Sequence, residues 1–344
     1  MSKADHFAVV IGIALYPGYD EEWDLGGPVK DANAYVDWLK APTGGDLPDA
    51  NIQLALSPQP TAGMPRPLIN QAFPNAEDVD ALFRPLYQQG QDARVGERLY
   101  IMVAGHGMSD RTDLHSAALL AANATPSDPL HVAMVKRAEW FRRHAAFDEI
   151  VLFVDCCRDN IGYELIPPQW PERWSSGPAH PRASRVRYLY GFATGYGKQS
   201  RERDFGSGET RGIFSQAVLS ALSEARPDAT GRITGKRLQD HVHNVHQSIA
   251  GDTVVEPPTF EDSDATVVFS NLLAPTTHTV QVWIQPHTGR DTLVVSQNFN
   301  AVERVRSAAS PQTLNLVPGI YKLEIGGSDR KQLIEVPRDN ECTL

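Results

Sequence analysis

Cysteine is scarce in this sequence, and long apolar runs are missing. Cys156, Cys157 and Cys342 are the only cysteines among its 344 residues. Adjacent cysteines rarely pair with each other, and three thiols cannot form an even set of disulfides, so we expect a reducing, cytoplasmic location. The first apolar run, residues 7–13, is too short for a signal peptide, and no run approaches the roughly 20 residues of a membrane span. We therefore expect no membrane partner.

An excess of positive charge is also missing. The chain has 32 basic and 42 acidic side chains, which gives a net charge of −10. A negative net charge disfavours binding along the phosphate backbone of a nucleic acid, so we expect no nucleic-acid partner. No glycine-rich loop is followed by Lys-Ser or Lys-Thr, which argues against a nucleotide-binding P-loop.

Metal and redox motifs are not evident either. The two adjacent cysteines lack the two-residue gap of zinc and redox motifs, and His241, His243 and His246 have no thiol or carboxylate at ligand spacing. We expect no metal site and no cofactor, and we place His241 and His246 on a solvated helix face.

The apolar pattern predicts an α/β fold for most of the chain. Continuous apolar runs, which are typical of strands covered on both faces, alternate with stretches of helical periodicity. This order predicts a three-layer αβα sandwich with a right-handed, mostly parallel sheet. The predicted strands are residues 7–13, 52–56, 98–104, 117–121, 149–154, 188–194 and 265–269, and the predicted helices are 28–40, 76–89, 132–146, 212–225 and 235–249.

The pattern changes after Asn271. Short alternating segments, separated by Gly, Pro and Asn, follow one another to the end of the chain. They predict a small all-β sandwich. We therefore expect two domains, residues 1–272 and residues 273–344.

Two of the predicted strands end in reactive side chains. One is followed by Gly-His-Gly around His106, and the other by Asp-Cys-Cys-Arg, which contains Cys157. Chemistry in parallel sheets gathers beyond the carboxyl ends of the strands. A cysteine nucleophile needs a base and a pair of oxyanion donors, which His106 and the backbone N–H groups of Gly107 and Cys157 can supply. A strand-end histidine with only a structural role, beside a cysteine that merely packs, remains the alternative.

Six motifs resemble the caspase and metacaspase superfamily, in a bacterial version. They occur in the family's order between residues 5 and 270, and the sequence carries them as Val9-Val10-Ile11-Gly12-Ile13, Leu25-Gly26-Gly27-Pro28-Val29-Lys30-Asp31-Ala32, Gly105-His106-Gly107, Asp155-Cys156-Cys157-Arg158, Arg211-Gly212-Ile213-Phe214-Ser215 and Gly231-Arg232-Ile233-Thr234. The resemblance implies a cysteine endopeptidase that acts on proteins or peptides. It makes His106 the general base and Cys157 the nucleophile, with Cys156 as the alternative nucleophile.

The same resemblance suggests the specificity of the enzyme. Leu25 stands where caspases have a pocket arginine, and Asp155 where they have a pocket glutamine. An acid in the pocket repels Asp and attracts Arg or Lys, so we expect cleavage after basic residues. Asp31 matches an acid of metacaspase-like pockets. The alternative, which we weigh equally, is that its carboxylate only interacts with the dipole at the start of a helix. We expect the positive charge of Arg158 to lower the pKa of the neighbouring thiol.

Several consequences of the resemblance stay open. The irregular residues 161–187 follow the nucleophile and suggest either a self-cleaved linker or a lid over the cleft. Some metacaspases need calcium, and Asp20, Glu21 and Glu22 form an acidic cluster that is either a weak ligand set or merely solvated. A catalytically inactive scaffold is the main alternative function. Relatives are implicated in stress, cell death and defence, and the C-terminal β domain is a candidate for docking a partner.

Overall fold

The computed structural model describes the chain except for residues 1–2, 62, 64, 91–92, 111–112, 114, 159–177, 207, 229–230, 264–266, 272–277, 286–291, 298–299, 307–309, 317–318, 327 and 337–340. Its contacts divide the chain into two compact units. The first comprises residues 1–225 and 233–270, and the second comprises residues 226–232 and 271–344.

The first unit is built on a six-stranded sheet in the order β12-β8-β7-β3-β1-β2. All neighbours in this sheet are parallel except β12, which pairs antiparallel with β8. The strands up to residue 271 are β1 (His6–Gly12), β2 (Ile52–Leu56), β3 (Gly96–Ala104), β4 (Gly107–Met108), β5 (Ala118–Leu120), β6 (His131–Ala133), β7 (Phe147–Asp155), β8 (Arg187–Phe192), β9 (Glu202–Asp204), β10 (Thr210–Gly212), β11 (Arg232–Thr234), β12 (Thr259–Asp262) and β13 (Val268–Asn271).

Helices cover both faces of this sheet. They are α1 (Pro28–Lys40), α2 (Ala76–Gly90), α3 (Met134–His144), α4 (Ile213–Glu224) and α5 (Gly235–Ala250). Alternate residues of β1 enter different cores: Val9 packs with residues of α2 and α3, whereas Val10 packs with residues of α1, α4 and α5. Successive strand side chains point to opposite faces, which explains this division. The predicted three-layer α/β sandwich with a mostly parallel sheet is confirmed.

The sequence predicts Asn75 and Thr234 as the N-caps of two helices, and both side chains form cap hydrogen bonds in the structure. Asn75 Oδ1 accepts the backbone N–H groups of Glu77 and Asp78 at 2.8 and 3.0 Å, at the start of α2. Thr234 Oγ1 accepts the N–H of Arg237 at 3.3 Å, at the start of α5. Such side-chain acceptors satisfy helix donors that have no intrahelical partner.

Four local predictions were wrong. Residues 132–133, expected in α3, belong instead to β6, which pairs antiparallel with β5. The stretch between the predicted strand 188–194 and the predicted helix 212–225 reads as a polar loop, but it contains most of the β9–β10 hairpin. The antiparallel edge strand β12 was not predicted. His246, expected on a solvated face, is 5% exposed.

The second unit contains two sheets, in the orders β17-β14-β20 and β16-β15-β18-β19. Its strands are β14 (His278–Trp283), β15 (Thr292–Gln297), β16 (Asn300–Arg306), β17 (Gln312–Leu316), β18 (Gly319–Ile325), β19 (Lys331–Val336) and β20 (Glu341–Thr343). Alternate residues, among them Val280, Val282, Leu293 and Val295, are buried in one apolar cluster. The β-rich C-terminal unit agrees with the sequence pattern. Within the described part of the chain, no helix has the length and apolar character needed to cross a membrane.

Candidate active site

The register of the central strands places the predicted site residues at one edge of the sheet. Gly12 lies opposite Ala104, and Ala104 lies opposite Asp155. His106 follows β3 by two residues and Cys157 follows β7 by two residues, so both leave the sheet at the same level. Both side chains line a cavity of about 460 Å³.

His106 is held by the loop between β1 and α1. Its backbone N–H donates to Tyr16 Oη at 2.8 Å. Its Nε2 lies 2.8 Å from the carbonyl oxygen of Trp23. Because a carbonyl only accepts hydrogen bonds, Nε2 carries the proton and Nδ1 keeps its lone pair in the neutral ring. Burial lowers the pKa of His106, against the raising effects of the Trp23 hydrogen bond and the Asp24 charge, so the neutral base is favoured.

The two adjacent cysteines have different surroundings. Cys156 is 1% exposed and its Sγ lies 3.8 Å from the carbonyl oxygen of Ala118. Burial raises the pKa of the Cys156 thiol well above its usual value. Cys157 is half-buried, lines the cavity, and has its Sγ 3.8 Å from the carbonyl oxygen of Ser200. Only the second sulfur is therefore placed to meet a ligand in the cavity.

Gly107 occupies a position where no side chain fits. A Cβ at this residue would lie 2.2 Å from Cys156 Sγ and 2.7 Å from the Ala118 carbonyl oxygen. A larger residue would have to displace the two strand ends that carry His106 and Cys157. This close approach accounts for the glycine that follows the histidine.

Asp155 is a buried carboxylate at the wall of the cavity. Its Oδ1 accepts the hydroxyl of Ser200 at 2.8 Å, and its Oδ2 accepts the backbone N–H of Ser215 at 2.9 Å. Burial raises the pKa of Asp155, and the hydrogen bonds from Ser215 and Ser200 offset this only in part. A buried carboxylate of this kind gains from a cation that enters the cavity.

Asp31 is the second predicted specificity residue that lines the cavity. It is 1% exposed, and it accepts Arg211 Nε at 2.6 Å and the backbone N–H of Gly212 at 2.7 Å. Burial and then Asp155 raise the pKa of Asp31 to about 7, against the lowering effects of Arg211 and Gly212. The residue thus lies in the first turn of α1 and in the cavity wall at once.

Glu202 is a cavity residue that was not singled out from the sequence. Its carboxylate accepts the backbone N–H groups of Gly26 and Gly27 at 3.1 and 2.8 Å. Burial raises the pKa of Glu202, and these two hydrogen bonds lower it in part. Glu202 lies in β9, within a stretch whose sequence pattern predicts a loop. Its negative charge next to a polar turn is the one sequence signal that could have indicated a role at the site.

Arg158 does not lie among the cavity residues. It is 3% exposed, its Nε donates to the carbonyl oxygen of Ser116 at 3.1 Å, and its guanidinium lies 4.4 Å from the Phe192 ring centroid. Its charge lowers the pKa of Cys156 only against the larger effect of burial. Arg158 therefore mainly anchors the turn after β7.

The acidic cluster of the β1–α1 loop does not fit a calcium site. Asp20, Glu21 and Glu22 are exposed, and the last two belong to a short 3₁₀ turn. Nowhere among the described residues do three or more His, Cys, Asp or Glu side chains converge as metal ligands would. We therefore derive no step through calcium.

Comparisons with known proteins give a similar sequence and similar structures. No protein-family model matches the chain. Over 228 residues, 63% of this chain, the sequence is 27% identical to a probable protease of a Desulfuromonadales bacterium, and the match spans 26% of that relative's length. Among solved structures, caspase-1 from Spodoptera frugiperda is similar with a TM-score of 0.44 and 15% identity, over 78% of this chain and 91% of that chain. A protein of Geobacter sulfurreducens has a TM-score of 0.43 and 9% identity, over 76% and 94% of the two chains.

The identity to a probable protease and the order of the motifs agree with each other. The sequence is thus similar to that of a probable protease, and the order of its motifs resembles that of the caspase-like proteases.

Proposed function

We propose that this chain is a cysteine endopeptidase that uses His106 and Cys157 to cleave peptide bonds after Arg or Lys. The observation that carries the proposal is one cavity that contains an imidazole, a thiol and buried carboxylates. Perturbed acids beside a nucleophile are typical of functional sites. The name of the bacterial relative, a probable protease, supports the reaction class.

In the proposed reaction, His106 Nδ1 takes the proton of the Cys157 thiol, because Nε2 already donates to Trp23. The thiolate attacks the peptide carbonyl, and the backbone N–H groups of Gly107 and Cys157 bind the oxyanion. His106 then returns the proton to the leaving amine as the C–N bond breaks. Water, activated by the same imidazole, hydrolyses the thioester and restores the thiol. No cofactor takes part in these steps.

The proposed specificity rests on charge. Asp31, Asp155 and Glu202 line the cavity, whereas Arg211 pairs with only one of them, Asp31. A guanidinium or ammonium group in this cavity would stabilise the ionised form of these acids. A substrate aspartate would add a like charge, which costs binding energy.

Peptide-library cleavage by wild type, Cys157→Ala and His106→Ala tests the proposal, with calcium and with a chelator. We expect wild type to cleave after Arg and Lys, both variants to lose cleavage, and calcium to change little. Preference for Asp would overturn the specificity. Equal activity of wild type and Cys157→Ala would overturn the mechanism, and wild-type inactivity would favour the inactive scaffold.

We also propose self-cleavage in the predicted linker. Residues 161–177, which include Arg173, lie outside the described residues. Arg182 and Arg185 are exposed, whereas Arg187 lies in β8 and forms an ion pair with buried Glu149. A protease needs an accessible segment, which favours the two exposed arginines over Arg187. Intact masses of wild type and Cys157→Ala check this, and an unnicked, fully active wild type would contradict it.

The cytoplasmic location, a role in stress, cell death or defence, and docking through the β-rich unit stay predictions. A variant that lacks residues 275–344 would retain peptide cleavage but lose cleavage of a cellular target if that unit recruits the target. Loss of both activities would argue against recruitment as its role.

A further inference from the structure

The loop of residues 13–27 encloses the His106 imidazole. The ring centroids of Tyr16 and Trp23 lie 4.9 and 4.7 Å from that of the imidazole. Tyr16 Oη accepts the His106 backbone N–H, and the Trp23 carbonyl oxygen lies at hydrogen-bond distance from Nε2. The position of this loop therefore sets both the place of the imidazole and the nitrogen that carries its proton.

Arg66, from the segment between β2 and α2, ties this loop together. Its Nη1 donates to the carbonyl oxygen of Tyr19 at 2.7 Å, and its Nη2 donates to the carbonyl oxygen of Tyr16 at 2.8 Å. Nη2 also lies 2.7 Å from Asp24 Oδ1. The same carboxylate oxygen accepts the Tyr16 N–H at 3.2 Å. One planar group thus connects Tyr16 with Tyr19 and with Asp24, the residue that follows Trp23.

These contacts are shielded but not fully buried. The Arg66 and Asp24 side chains are 22% and 11% exposed. The loop has little regular structure of its own. Its described residues contain one element, a 3₁₀ turn at Glu21–Trp23. Its shape therefore depends strongly on bonds from other segments, and a guanidinium matches three acceptors better than a single ammonium point charge does.

We propose that Arg66 is a positioning residue that aligns His106 with Cys157 through Tyr16 and Trp23. The proposal rests on the proposed cysteine peptidase function. Arg66 touches no reacting atom. Its effect is expected on the chemical step, because misplacement of a base by a fraction of an ångström slows proton transfer more than it weakens substrate binding.

The test compares Arg66→Met and Arg66→Lys with a matched control, Arg94→Met. Arg94 forms a similarly short pair with Asp148, at 2.6 Å, on the surface. We expect Arg66→Met to lower kcat by about ten- to a hundredfold with little change in KM. We expect Arg66→Lys to recover part of this loss and Arg94→Met to match wild type.

The rate of Cys157 alkylation by iodoacetamide is the second readout. It should fall in Arg66→Met toward the rate of His106→Ala, while the thermal midpoint stays close to that of Arg94→Met. Wild-type kcat and alkylation in Arg66→Met would overturn the proposal. If that variant does not fold, unchanged kcat and alkylation in Arg66→Lys would do so. A wild type that cleaves no peptide, with alkylation independent of His106, would instead contradict the peptidase function itself.

Discussion

At the scale of single residues, the contact between Gly107 and Cys156 joins two strand ends that the sequence shows only as separate motifs. The sequence indicates a glycine beside His106, but the sulfur against which that glycine packs belongs to Cys156, the residue that follows β7. The need for a glycine here is therefore a tertiary effect. Local sequence could indicate the turn but not the neighbour that forbids a side chain.

Gly107→Ala is expected to lower the free energy of unfolding by about 1–3 kcal/mol, the usual cost of overpacking. The added Cβ would meet Cys156 Sγ and the Ala118 carbonyl oxygen. The control is Gly195→Ala, whose Cβ would have Thr259 Cγ2 at 4.0 Å as its one neighbour. Urea unfolding measures the difference. Equal stability of Gly107→Ala and wild type would contradict the argument.

If Asp31 binds a basic substrate side chain as proposed, substrate binding should depend on pH. Its pKa is raised to about 7, so it is protonated below and ionised above that pH. A substrate arginine favours the ionised form, and its affinity should rise as pH increases through neutrality. We expect a change of about tenfold, which corresponds to about 1.4 kcal/mol. Asp155 and Glu202, whose pKa values burial also raises, act with the same sign.

Anisotropy titrations of Cys157→Ala with a P1-Arg peptide and its P1-citrulline analogue check this. The neutral citrulline peptide should bind equally at all pH values. Adding Asp31→Asn should flatten the profile of the arginine peptide. An unchanged profile in that double variant would exclude Asp31 as the titrating group.

At the scale of elements, long apolar strands and capped helices were predictable, whereas short polar strands were not. β3 and β7 carry their own signal in continuous apolar runs. β9 and β12 read Glu-Arg-Asp and Thr-Phe-Glu-Asp, and each forms only because a neighbouring strand supplies its hydrogen bonds. The candidate dyad was therefore visible in the sequence, but Glu202 and the Arg211–Asp31 pair were not, since these depend on the β9–β10 hairpin.

Glu202→Gln should loosen that hairpin. Gly26 and Gly27 each donate to a different carboxylate oxygen, and in the amide one of these oxygens becomes an NH2 group that donates instead of accepting. Loss of a hydrogen bond to a charged group should speed amide exchange in β9 and β10 by about tenfold. Glu209→Gln is the control, because Glu209 is 62% exposed and 3.8 Å from Lys30. Equal amide-exchange rates in Glu202→Gln and Glu209→Gln would contradict a role of Glu202 in stabilising the hairpin.

At the scale of the whole molecule, the core residues fall into separate sets. The two clusters of the first unit contain no residue after Phe269, and the cluster of the second begins at Val280. Each unit buries apolar side chains among its own strands. The sequence suggested this division through the change from long runs to short alternating segments.

Removal of residues 275–344 should therefore leave the first unit folded. We expect its helical circular dichroism and its peptide kcat/KM to stay close to those of the full chain. Thermal melting and cleavage of a P1-Arg peptide measure both. Loss of cooperative melting in the shortened chain would show that the units depend on each other for folding.

The burial of Cys156 also determines which of the two adjacent thiols an oxidant can reach. Peroxide can reach a sulfur that lines the cavity far more readily than one packed against Ala118. A vicinal disulfide would require Cys156 to leave its place beside Gly107. A sulfenic acid on Cys157 thus has no ready resolving thiol in its sequence neighbour.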